Sequence, residues 1–317
     1  MDDDWLVWRY EACRTRLRSM AYRMLGSASD ADDAVQEAWI HVAGGDATAV
    51  RNLEGWFTTI VARVCLDMLR ARKSRREEPV DATELDRAVG AAGGADQEAV
   101  LADTVGIALL VVLDTLGPAE RVAFVLHEMF GVPFGEIASI TGRSPAAARQ
   151  LASRARRRIR GGTEHENPES GDNADHARGA ESEPASAAAS ELARQRALAD
   201  AFLAAARGGD LDALLAILDP DVVLHGDAAA SPGGKPLTIH GAQRVARASR
   251  SAASRTRYSG IALIDGVPGI VYAPRGHLTI VLAFRYGTDS SGAGTITHIE
   301  VLADPARLAA LRLAVPD

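Results

Sequence analysis

The sequence predicts a multidomain chain: two all-α domains, the second closed by a helix-turn-helix, then an α+β cone-like domain. Three observations predict it. Residues 1–76 and 96–160 carry apolar side chains at helical spacing, interrupted by glycine and proline. Phe134–Arg160 reads as two short helices around a tight turn, the second ending in a run of arginines. From Ser190 onward two helices give way to short strand-like runs.

The elements follow in order. Trp5, Leu6, Tyr10, Cys13, Leu17, Met20, Ala21 and Met24 form one apolar stripe, closed by Gly26. Ser29 or Asp30 is expected to cap a second helix that runs through Trp39 and Val42 to Gly44-Gly45. A polar loop, Asp46–Asn52, precedes a third helix from about Leu53 to Arg72. Its core face is Trp56, Phe57, Ile60, Val61, Val64, Cys65, Met68 and Leu69. Residues 77–95 contain Pro79, Gly90, Gly93 and Gly94 without sustained periodicity and read as a linker.

Residues 96–162 are helical again, with breaks at Gly117-Pro118 and Gly131-Val132-Pro133. Phe134, Ile137, Ala138 and Ile140 give a short amphipathic helix, and Thr141-Gly142-Arg143 ends it. Ser144 sits where an N-cap belongs, with Pro145 at the first helical position. No acid occurs from Ser144 to Arg160, whereas Arg149, Arg154, Arg156, Arg157, Arg158 and Arg160 do. That is the layout of a second helix that enters the major groove of DNA. Arginine suits this, because its planar fork matches phosphate oxygens and guanine edges.

Residues 163–189 are polar and rich in Gly, Pro and Ser. Such a segment buries too little surface to offset its ordering entropy, so a flexible linker with a reach of roughly 30 Å is expected. The C-terminal domain, 190–317, begins with helices Glu191–Ala206 and Leu211–Leu218. Strands are expected at Val222–His225, Leu237–His240, Gly260–Ile264, Gly269–Tyr272, Leu278–Arg285 and Thr295–Leu302, mostly antiparallel. A helix, Gly241–Ser251, interrupts them, and Pro305–Leu311 closes the chain.

Net charge is −7, so the protein as a whole is not a basic nucleic-acid coat. The positive charge is local, in Arg63–Arg76 and Arg143–Arg160, while acids collect at Asp2–Asp4, Asp30–Asp33 and after Glu164. Cys13 and Cys65 lack CxxC or His spacing and read as small buried apolar residues of a reducing compartment. MDDDWLVW has no signal-length apolar core, and no run approaches membrane-spanning length, so a cytoplasmic protein without a membrane partner is expected.

At this point the residues resemble a known family. Ala21–Ser27 (AYRMLGS) and Asp30–Trp39 (DADDAVQEAW) are similar to conserved regions 2.1–2.2 of the extracytoplasmic-function (ECF) sigma factors of bacterial RNA polymerase. Asn52–Val61 (NLEGWFTTIV) and Cys65–Arg70 (CLDMLR) resemble regions 2.3–2.4, and Leu116–Arg121 with Phe134–Arg160 resembles region 4. Residues 190–317 resemble the SnoaL-like (NTF2-like) extension of one ECF subgroup. Its DGGGK motif appears altered as Ser231-Pro232-Gly233-Gly234-Lys235, and its NPDKL motif as Asp304-Pro305-Ala306-Arg307-Leu308. The proline-rich element between the sigma domains is reduced to Glu78-Pro79.

The resemblance implies a protein that binds core RNA polymerase, recognises −10 and −35 promoter elements and directs initiation, with the SnoaL-like domain tuning its activity. It implies no enzyme activity of its own. Asp30, Asp32, Asp33, Gln36 and Glu37 would dock on the clamp helices of the largest polymerase subunit, and region 4 on the flap of the second-largest. Acids at a helix N-terminus are also favoured by the macrodipole alone. Arg63, Arg70, Arg72 and Lys73 would meet the −10 element, and Arg51 and Asn52 in the preceding loop would hold a flipped base. Trp56 and Phe57 fit core packing better than base stacking, from their spacing with Ile60.

Ser144, Arg149, Gln150, Ser153 and Arg154 would reach −35 base edges over a surface kept thin by Ala146, Ala147 and Ala148, and Arg157 would anchor phosphate. Gly233, Gly234 and Lys235 would carry an intramolecular contact between the SnoaL-like and sigma domains. His225, Asp227, His240, Asp265, His277, His298 and Glu300 could furnish acid/base groups, but no spacing selects a pair, and none resembles a metal site. No catalytic residue, metal or cofactor is therefore assigned. The alternative is a SnoaL-like isomerase or cyclase fused to a DNA-binding module.

Overall fold

The computed structural model describes residues 4–44, 50–75, 106–161, 183–231 and 233–316. The expected linker 77–95, Glu78-Pro79, Pro232, most of the loop 46–52 and residues 163–182 lie outside the described residues. The chain divides into two compact units, Met1–Arg156 with Pro274–His277, and Arg157–Ala273 with Leu278–Asp317.

In the first unit, α1 (Asp4–Leu25), α2 (Ala28–Ala43) and α3 (Leu53–Arg75) pack against one another. Their seam is aromatic. The Tyr10 ring lies 4.9 Å from Trp39 and 5.1 Å from Phe57, and its hydroxyl donates to the Val35 carbonyl at 2.6 Å. A buried phenol needs such a partner. Gly26 takes φ 77, a left-handed turn that closes α1 and frees Ser27 to cap α2. The cap is thus Ser27, whose Oγ accepts from the Asp30 amide, and not Ser29 or Asp30.

Phe57 is fully buried, as its spacing predicts, whereas Trp56 is half-buried and Trp5 is exposed rather than part of the core stripe. Cys65 is buried, and burial pushes its thiol up to about 12; Cys13 is only half-buried. Among the described residues four more helices follow: α4 (Ile107–Asp114), α5 (Pro118–Phe124), α6 (Phe134–Thr141) and α7 (Pro145–Ile159). A single π-turn, Val125–Met129, extends α5. Both α5 and α6 pack on α3. Arg121 is 2% exposed and pairs with Asp114 at 3.1 Å.

In the second unit, α8 (Glu183–Gly208), α9 (Leu211–Ile217) and α10 (Ala242–Ser251) cover one face of a seven-stranded sheet. The strands are β1 (Leu218–Gly226), β2 (Leu237–His240), β3 (Ser259–Ile264), β4 (Val267–Tyr272), β5 (Ile280–Thr288), β6 (Gly294–Leu302) and β7 (Leu313–Ala314), in the order β2-β1-β6-β5-β4-β3-β7. The β1–β6 pair is parallel and the others are antiparallel.

Phe202, Leu214 and Val245 on the helices meet Val222, Ile270, Phe284, Ile296 and Ile299 on the sheet. Helices on one face of a largely antiparallel sheet give the α+β architecture expected of this domain. A short helix, α11 (Pro305–Ala310), follows β6. Glu183–Ala189, expected in the linker, already belong to α8; that stretch is alanine-rich, and alanine is the best helix former.

Candidate nucleic-acid interface

The helix-turn-helix is built from backbone restraints outward. Gly142 takes φ 68 and ψ 36 at the end of α6, and the Ala138 carbonyl accepts from the Arg143 amide at 3.0 Å. Only a residue at ease in the left-handed region makes that reversal without strain. The Ser144 Oγ then accepts from the Ala147 amide at 3.2 Å, and Pro145 opens α7.

Ile137, Ala138 and Ile140 of α6 are buried, as are Ala148, Leu151, Ala152, Ala155 and Ile159 of α7. The remaining arc of α7 brings Ser144, Arg149, Gln150, Ser153 and Arg154 out into solvent together. Ala148 is fully buried, so it packs inward and does not thin the outer surface with Ala146 and Ala147. The Arg149 guanidinium lies 5.4 Å from the Phe134 ring centre, a cation–π contact that fixes where its fork points. Arg156 pairs with Glu128. Arg157 is half-buried.

The two charged sets of the N-terminal helices prove partly entangled. Arg72, expected on the −10 element, pairs with Asp30, expected on the polymerase, and also donates to the Leu25 carbonyl at 2.9 Å. Asp32 accepts from the Arg18 Nε at 2.5 Å. These bonds hold α2 to α3 and to α1. Asp33, Gln36 and Glu37 remain on the exposed arc of α2.

Of the other −10 candidates, Arg51 and Lys73 are exposed, and Arg70 makes a surface pair with Asp67 at 3.2 Å. The Asn52 Oδ1 accepts from the Gly55 amide at 3.0 Å, so Asn52 caps α3. Arg63 donates to the Ser139 carbonyl of α6 at 3.4 Å. Sequence reading missed Arg18 and the Leu25 carbonyl as partners, because separations of 14 and 47 residues leave no local signal. It also missed the exposed Trp8 and Ile40 on α1 and α2.

In the second unit Gly233, Gly234 and Lys235 are exposed, and a Cβ at either glycine would meet open space. Asp227 does structural work nearby. Its carboxylate accepts from the amides of Ala230 (2.8 Å), Ala303 (2.9 Å) and Asp304 (2.9 Å). It thereby joins the end of β1 to the start of the Asp304–Leu308 motif. Burial opposes ionisation, but these amides and Arg307 outweigh it and hold the carboxyl below its usual range.

The His225 and His298 rings lie 5.1 Å apart. Burial, then Arg285 and His225, lower the His298 pKa. Among the described residues no group of three or more His, Cys, Asp or Glu is placed to hold a metal, and no helix is long and apolar enough to cross a membrane.

Comparison with known proteins bears on this geometry. The Sigma-70 region 2 family model matches residues 9–75, and the Sigma-70 region 4 model matches residues 107–159. The probable ECF RNA polymerase sigma factor SigI of Mycobacterium tuberculosis H37Rv is 36% identical over 310 residues, covering 96% of this chain and 95% of that protein. The ECF RNA polymerase sigma factor SigJ of the same strain is 36% identical over 253 residues, covering 76% of this chain and 71% of that protein. The crystal structure of M. tuberculosis SigJ aligns over 95% of this chain and 98% of its own, at 29% identity and a TM-score of 0.39.

Proposed function

Because the chain belongs to the extracytoplasmic-function sigma factors, which bind core RNA polymerase and promoter DNA to start transcription, we propose a division of that work among its surfaces. The exposed arc of α7 reads the −35 element: Arg149, Gln150, Ser153 and Arg154 meet base edges, with Ser144 at the helix start, and Arg157 steadies the phosphates. The single observation that carries this is the capped, acid-free α7 whose other face is spent on the core. Arg51, Arg70 and Lys73 face the −10 element, and Asn52 shapes the loop by capping α3. Arg72 supports that surface through Asp30 instead of touching DNA.

Asp33, Gln36 and Glu37, with exposed Ile40 on the same helix and exposed Trp8 on α1, suit the clamp helices of the largest polymerase subunit. An acidic rim would set register and speed encounter, while the apolar residues supply contact area. Region 4 meets the flap of the second-largest subunit. The C-terminal domain tunes output, with Gly233, Gly234 and Lys235 as its exposed contact loop. The protein works where the polymerase is, in the cytoplasm.

Run-off transcription with purified core polymerase tests the assignment. Asp33→Ala with Glu37→Ala should weaken capture of core while leaving the fold intact. Truncation after Gly162 and after Ala303 should change promoter output by different amounts. Unchanged output from all three variants would remove the assignment.

A further inference from the structure

We propose that the C-terminal domain carries a second DNA-contacting surface, blind to sequence, formed by Arg244, Arg247 and Arg250 on α10. This rests on the chain working on duplex DNA, as its family does. The residues are three apart, so they fall on one arc of the helix. All three are exposed, while Val245 and Ala246 between them are fully buried in the sheet-facing core. Folding therefore requires only that this arc be polar; nothing in the packing requires three guanidinium groups.

None of the three makes an ion pair or hydrogen bond with another described side chain. The surrounding sequence sharpens the point: from Ala228 to Ile264 there is no acid, but there are Lys235, Arg244, Arg247, Arg250, Arg255 and Arg257, in a chain of net charge −7. Acids on the adjoining elements are Glu191 and Asp200 on α8, Asp210 and Asp212 at α9, and Asp219 and Asp221 on β1. The turn at Gly209 lies against Arg250, while α10 itself carries no acid.

The occupant is argued from charge and spacing. Arg244 and Arg250 are separated by about 9 Å along the helix axis, from a rise of about 1.5 Å per residue. Duplex DNA offers a charge every ~1.7 Å of its axis, so each guanidinium finds its own phosphate without reading a base. Arginine's fork is suited to that contact. The arc has no exposed large apolar side chain that would enter a lipid surface. Covalent connection to the helix-turn-helix gives this surface a local concentration on the order of millimolar once α7 is engaged, so weak phosphate contacts add to promoter residence.

The test uses the full chain and a short fluorescent duplex without promoter elements, titrated across a salt series. Replacing all three arginines (R244Q/R247Q/R250Q) should reduce the slope of log affinity against log salt by about 2–3 and weaken low-salt binding by about tenfold or more. The charge-preserving R244K/R247K/R250K should restore most of the slope. The residues are exposed, so both variants should melt with the wild type. An unchanged slope overturns the proposal. So does a loss confined to poly-glutamate or to phosphatidylserine vesicles, which would assign the arc to an acidic protein or a membrane. Run-off start-site selection is read in parallel: its failure in the wild type strikes the sigma assignment, whereas equal salt slopes strike only this surface.

Discussion

Arg72 offers the sharpest separation of structural arginines from those proposed to contact DNA. Its side chain is 22% exposed and that of Asp30 is 33% exposed, so the pair sits between the surface and buried regimes. A fully exposed pair contributes about 0.2–1 kcal/mol, and stripping one partner from a buried pair costs about 3–5 kcal/mol. A coupling of about 1–2 kcal/mol follows. Arg72 also donates to the carbonyl of Leu25, a fully buried residue, which adds about 1 kcal/mol.

Arg72→Ala should therefore lose about 2–3 kcal/mol, Asp30→Ala about 1–2, and the double variant little more than Arg72→Ala alone. Urea unfolding followed by tryptophan fluorescence reads all three, since Trp39 and Trp56 lie in this helical core. Arg70→Ala and Lys73→Ala, at exposed positions, should leave stability within about 0.5 kcal/mol while weakening promoter binding. Strict additivity of Arg72→Ala and Asp30→Ala, or a stability loss at Lys73 equal to that at Arg72, would refute the reasoning.

Three further outcomes are expected. Arg149→Ala should weaken binding to the −35 element by about 1–3 kcal/mol and relax its sequence preference, whereas Arg157→Ala should weaken all duplexes alike and lower the salt slope by about 1; electrophoretic mobility shifts against matched and scrambled elements distinguish them. Asp114→Ala removes the carboxylate from the buried Arg121 and should cost about 3–5 kcal/mol in thermal unfolding; a loss below about 1 kcal/mol contradicts the burial argument. The Asp227 carboxyl is depressed in the folded protein, so its stabilisation is complete above its unfolded pKa of about 4 and is lost as pH falls through the folded value. Acid unfolding of the C-terminal domain should accordingly flatten below about pH 4 in Asp227→Asn, and an unaltered acid profile would contradict the three-amide clasp.

Local rules made some of this legible and long-range contacts hid the rest. The helix-turn-helix could be read because its punctuation is chemical and short-range: Gly142 for the reversal, Ser144 for the cap, Pro145 for the first turn. The first three helices came through for the same reason, down to Phe57 in the core. Ser27 was passed over as the α2 cap because Ser29 and Asp30 are equally good caps by type, and only the turn at Gly26 decides.

Strands β2 and β6 were placed within a residue, but β7 was not anticipated; two residues carry no periodicity, and this strand exists only because β3 offers it an edge. The candidate site divides likewise. Exposure of Arg149, Gln150, Ser153 and Arg154 follows from helical phase. The capture of Arg72 by Asp30 across 42 residues depends on how α2 and α3 cross, which composition does not encode. The cationic arc of α10 is present in the sequence as an acid-free run, but which of its arginines share a face depends on how the helix packs on the sheet.

Start-site selection by purified core polymerase probes the whole account at its base. With this chain added, transcripts should begin at one defined position on a cognate promoter fragment and vanish when Arg149 and Arg154 are both replaced by alanine in a protein that still melts normally. Random initiation by the intact chain, or an identical start after both arginines are gone, would contradict it.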